Sequence, residues 1–100
     1  MTLPVEFLSG ADADLQAAFN RFEDYREGFG VEFVTAVDAH LTRIANYPLL
    51  AAVYHKAVRR QVMLGFPCGI FYEPHPTRII VVAILDLRQD PARIRQRLQQ

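Results

Sequence analysis

Four side chains that hold or move charge crowd into one short stretch: His55, Lys56, Arg59 and Arg60, with Arg78 and Arg88 further along. Such a set suits a phosphate. Cutting an RNA backbone needs a base for the 2′-hydroxyl, cations for the phosphate and an acid for the leaving oxygen. The arginines fit the second task. His55, or Lys56 with a lowered pKa, fits the first and third, with Tyr72 as a helper. This chemistry requires the stretches 58–64 and 78–86 to bring their basic groups together across one sheet face. Against it, no group that titrates near neutrality stands beside Arg88.

A second feature is "IIVVAILDLRQDP", residues 79–91. Seven apolar residues, Ile79 to Leu85, read as a strand buried on both faces, and the run then breaks into Asp86, Arg88 and Asp90. A buried strand that delivers charge at its end points to a catalytic site or to a docking surface for another protein. Other chemistries lack their residues. His40, His55 and His75 are scattered, one cysteine cannot build a zinc ribbon, and no Gly-rich phosphate loop, G-x-S-x-G or dinucleotide fingerprint occurs. His40 reads as a partly buried or surface histidine with no chemical role, His75 as a solvated turn residue, and Cys68 as a buried, inert thiol. No metal or organic cofactor is expected.

The elements that must position these groups follow from pattern. Val5, Phe7 and Leu8 suggest a short strand, and Ser9 with Asp12 has the S-x-x-D spacing of a capped helix start. Leu15, Phe19, Phe22 and Tyr25 or Arg26 recur at three and four. "EGFG" interrupts the helix, and Val34, Val37, Leu41 and Ile44 make a second stripe closed by "NYP". Two helices so briefly linked form an antiparallel hairpin. Strands are expected over 58–64, 68–73 and 78–86, joined by tight turns and hence antiparallel, before a short basic helix with Asp90 as N-cap and Pro91 at its first position.

The expected fold is therefore α+β, a helical hairpin on an antiparallel sheet in the order β-α-α-β-β-β-α, one domain over 1–100. Strict alternation sets Ile79, Val81, Ala83 and Leu85 against Ile80, Val82 and Ile84. The hairpin covers one face, and the C-terminal helix, with only Ile94 and Leu98 as large apolar residues, covers the other poorly. A partner chain is the expected cover, meeting Arg59, Arg60, Arg78, Ile80, Val82, Ile84, Asp86 and Arg88.

Composition sets limits. Hydrophobic residues make up 51% and charged residues 22% of the 100, as in a folded soluble protein. The net charge of zero hides an asymmetry. Residues 1–50 carry three basic and eight acidic side chains, a balance of −5, whereas residues 51–100 carry eight and three, a balance of +5. That positive half steers anionic partners. A lone cysteine, the lack of a signal-like N-terminus and an apolar run too short to span a bilayer predict a cytoplasmic protein without a membrane partner.

The "VEF" strand, the "DLQAAFNRFEDYREGFGVEFVTAV" hairpin, "RIANYP", "VRRQVMLGFPCGIFYE" and "IIVVAILDLRQDP" together resemble the RelE/ParE family of type II toxin–antitoxin toxins over nearly the whole chain. The FP-x-x-I-x-Y segment and the R-x-x-P element that ends the last strand carry most of it. The resemblance implies a toxin of the plasmid-stabilisation type, wrapped by the C-terminal segment of a cognate antitoxin. RelE-like members cleave messenger RNA in the ribosome; ParE-like members poison DNA gyrase. The "GFG…FP-x-x-I-x-Y" style leans to ParE. Many members carry histidine where this chain has Asp86, and a carboxylate there repels phosphate and is a poor general acid. A neutral chain also grips RNA weakly. The resemblance thus implies a gyrase inhibitor that needs no cofactor, with ribosome-dependent RNA cleavage, or a decayed toxin that retains only antitoxin binding, as the alternatives.

Overall fold

Apolar spacing and local breakers divide the chain into β1 (Val5–Phe7), α1 (Ser9–Tyr25), α2 (Phe29–Asn46), β2 (Ala52–His55), β3 (Val58–Val62), β4 (Cys68–Pro74), β5 (Ile79–Asp86) and α3 (Pro91–Leu98). These elements come from a computed structural model that describes residues 2–99. The strands form one sheet in the order β1-β5-β4-β3-β2. Consecutive strands from β2 to β5 are antiparallel, as tight turns require, while β1 runs parallel to β5 through the pairs Val5–Ile79 and Phe7–Val81. The α+β fold with a helical hairpin on a sheet holds. The sheet is mixed, however, because β1 reaches β5 only after the whole hairpin has intervened.

The hairpin bends where glycine was expected to bend it. Gly28 has φ +84°, a left-handed conformation that suits glycine, and serves as the N-cap of α2. The cap is completed from α1: the Glu23 carboxylate accepts from Gly28 N at 2.8 Å and Gly30 N at 2.9 Å. Phe33, Val37 and Ile44 of α2 are buried against Ile70, Tyr72, Val81 and Ile84, with Leu15 and Phe22 of α1 packed beside them. Tyr25 and Arg26, the alternative ends of this stripe, are both exposed, Tyr25 at 81%. The S-x-x-D start is also corrected. Leu8 is the N-cap and, lacking a side-chain acceptor, makes no side-chain cap; its own N–H is held by Val81 O at 3.0 Å, and the helix starts at Ser9.

Two further differences concern the sheet. An extra strand, β2, pairs with β3 through a two-residue turn, Lys56–Ala57, in which Lys56 takes φ 52°. And β3 stops at Val62, leaving Leu64 82% exposed in the turn to β4.

The alternation along β5 also breaks. Phe71 faces Ala83 while Tyr72 faces Val81, so Val82 is an extra residue, a β-bulge. Val81 and Ile84 therefore both face the hairpin, and Ala83 and Leu85 face α3. That second face is better covered than expected. Ile94 and Leu98 of α3 are buried against Val58, Phe71, Ala83 and Leu85, with Tyr54 and Val82 at the edge. As the sequence predicts, Asp90 caps α3 by accepting from Ala92 N at 2.9 Å, with Pro91 in the first turn.

Candidate functional site

The basic residues singled out in the sequence do not meet. Arg59 Nη1 donates to Leu49 O at 3.2 Å and Ala51 O at 2.7 Å, pinning the loop after α2. Arg60, on the opposite face, lies 4.9 Å from the centre of the Tyr54 ring. Arg78 pairs with Glu6 of β1 at 3.2 Å. It stands at the start of β5 and Arg88 beyond its end, a separation on the order of 30 Å at strand rise. His55 ends β2, with Nε2 buried and unpartnered, and Lys56 sits in the turn. Tyr72 is fully buried, its hydroxyl donating to Pro48 O at 2.8 Å, and burial pushes its phenol above the usual range. A joint phosphate-cleaving constellation is not assembled, since the sheet spreads these groups over two faces and two ends.

Of the expected partner contacts, Ile84 is only 4% exposed and lies under the hairpin, where the bulge has turned it away from the face that Val82 borders. Val82 packs at the edge of the α3 cluster, and Ile80 is half-buried. Asp86 and Arg88 stand elsewhere, at an open hollow.

That hollow forms where β5 runs out against α1. A cavity of about 470 Å³ is lined by Asp14, Ala17 and Arg21 of α1, and by Ile84, Leu85, Asp86, Arg88 and Gln89. A second hollow of similar size adjoins it, lined by Arg21, Phe22, Tyr25, Phe29, Pro67 and Arg88. Arg21 and Arg88 belong to both. Asp86 holds Arg88 by three hydrogen bonds: from its backbone N at 2.8 Å, from Nε at 3.1 Å and from Nη2 at 2.7 Å. Asp14 ties three elements together. It accepts from Arg97 of α3 at 2.9 and 2.7 Å and from Ile84 N at 3.1 Å.

Electrostatics define what the hollow can do. Hydrogen bonds from Arg88, with the Arg21 charge nearby, hold the Asp86 carboxyl below its usual range. It is therefore an ionised orienting group at neutral pH and cannot donate a proton. Burial, together with Asp86, pushes the Cys68 thiol to about 11, so it is no nucleophile. His40, whose pKa burial lowers, lies on α2 and lines neither hollow. Among the described residues no group of three or more His, Cys, Asp or Glu side chains is arranged to hold a metal. No helix among them is long and apolar enough to cross a membrane.

Sequence reasoning named Asp86 and Arg88 but missed Asp14, Arg21, Gln89 and Arg97. A signal was present on α1. Asp14, Ala17 and Arg21 recur at three and four, a polar stripe beside the apolar one.

No protein-family model matches the chain, and no curated protein does. Among solved structures it is similar to a chain of the chromosomal ParDE TA system from P. aeruginosa. The TM-score is 0.72 at 15% identity, over 87% of this chain and 98% of that one. The chain thus has the fold of a ParDE-system protein, the architecture that the sequence resemblance implied.

Proposed function

We propose that this chain is the toxin of a type II toxin–antitoxin pair, neutralised by a cognate antitoxin, and that it acts by binding DNA gyrase rather than by cutting RNA. The fold likeness to a chain of a ParDE system supports the first part. The observation that carries the second is the Asp86–Arg88 pair. At the end of β5 an ionised carboxylate is locked to its arginine, and no group titrating near neutrality lines the hollow. Such a site can recognise but lacks an acid–base couple. The reading carries with it a cytoplasmic location and no cofactor.

The test is a supercoiling assay with purified gyrase and relaxed plasmid. Supercoiling should fall as the protein is added and recover when the neighbouring antitoxin is supplied. Undiminished supercoiling at saturating protein would sink the gyrase reading, and translation-dependent cuts in messenger RNA would establish the nuclease instead.

A further inference from the structure

The two hollows meet at two guanidiniums that are not equally engaged. Arg88 gives its Nε and Nη2 to Asp86, which leaves the Nη1 edge unused and fixes the plane in which it points. Arg21 makes no hydrogen bond or ion pair with any carboxylate among the described residues. Beyond the two cations lies an aromatic floor. Phe22 and Phe29 stand 5.2 Å apart edge to face, and Tyr25 lies 5.9 Å from Phe29 and is 81% exposed. Phe22 and Phe29 are half-buried, so the exposed Tyr25 ring supplies most of the apolar area beside an unpaired arginine, with orientation from the fork, as a recognition surface requires.

We propose that this continuous cleft docks an acidic segment of a partner protein. A partner carboxylate sits between Arg21 and the Nη1 edge of Arg88, and a neighbouring aromatic or aliphatic side chain lies on Tyr25 against the open edges of Phe22 and Phe29. Asp86 is the positioning residue that aims Arg88. Charge selects a peptide over a nucleic acid. The carboxylates of Asp14 and Asp86 line the first hollow, so a phosphate chain threading it would meet two fixed negative groups. One carboxylate placed at the junction takes the free guanidinium edges without threading that hollow. The proposal deepens the reading as a toxin controlled through protein contacts and rests on that reading only for the partner's biological role.

The experiment selects random displayed peptides on the immobilised full chain, and then measures binding of an enriched peptide by calorimetry. Enriched sequences should carry Asp or Glu next to Phe, Tyr or Leu. Arg21→Gln should weaken binding roughly tenfold or more, as for a lost charge-assisted contact, and Arg78→Gln should leave it unchanged. Exchanging the peptide's acidic residue for its amide should reproduce the Arg21→Gln loss on the unaltered protein, so the result does not hang on the variant's folding. Asp86→Asn should weaken binding less than Arg88→Gln. Enriched peptides without carboxylates, equal affinity for the Arg21 variant, or displacement of the peptide by a labelled oligoribonucleotide would each overturn the proposal. A chain that binds acidic peptides here yet leaves supercoiling untouched keeps the cleft and loses the gyrase reading.

Discussion

At Gly30 there is no room for a methyl group. A Cβ would stand 2.8 Å from Phe19 O, 2.9 Å from Phe19 Cδ2 and 3.0 Å from Glu23 Oε1, and the first of these is backbone that cannot swing aside. The same close approach lets Glu23 reach the free N–H groups of α2. Gly30→Ala should therefore lower stability by about 1–3 kcal/mol, read as a lower urea midpoint, and an unchanged midpoint would show that the helices part freely. Asp86 supports a prediction in pH. Its folded carboxyl titrates below the ordinary value of 3.8, so the pair adds stability that is complete above that value and is lost as pH falls through the lower folded one. The melting temperatures of wild type and Asp86→Asn should differ at neutral pH and converge in acid. A gap that persists in strong acid would mean the variant acts through something other than charge.

At the scale of elements, α3 is held by Ile94 and Leu98 and by the Arg97–Asp14 ion pair, whose Asp14 side chain is only 15% exposed. Removing Asp14 strips Ile84 N of its partner and leaves Arg97 without its counter-ion. Asp14→Ala should cost about 2 kcal/mol and speed amide exchange in α3 and around Ile84, whereas unaltered exchange would show that apolar contacts alone seat the helix. The same elements show what a sequence discloses. The hairpin turn at Gly28 and the stop at Tyr47–Pro48 were legible because glycine and proline act on the backbone where they stand. The bulge at Val82 was not, since a run of seven apolar residues is the same in every register. That one residue moved Ile84 from the expected docking face into the core. Arg21 escaped notice for a related reason. A helical residue meets the end of a strand only through packing, which no local spacing records.

For the whole molecule, the charge asymmetry between the halves of the sequence does not become two poles. The ion pairs Arg97–Asp14 and Arg78–Glu6 each join a basic residue of the second half to an acidic one of the first. Arg21 is an exception, a first-half cation left over at the cleft. The parallel seam between β1 and β5 likewise stitches the start of the chain to the strand formed near its end, with Val5 against Ile79.

The cleft therefore has a history as well as a shape. Its α1 wall is translated first, and Asp86, Arg88 and Gln89 follow about 65 residues after Arg21. Until they have cleared the exit tunnel, a growing chain can expose the residues of α1 and still present no cleft. The cleft is completed only when residues 86–89 come to lie against α1, and a chain broken off before residue 86 lacks that wall.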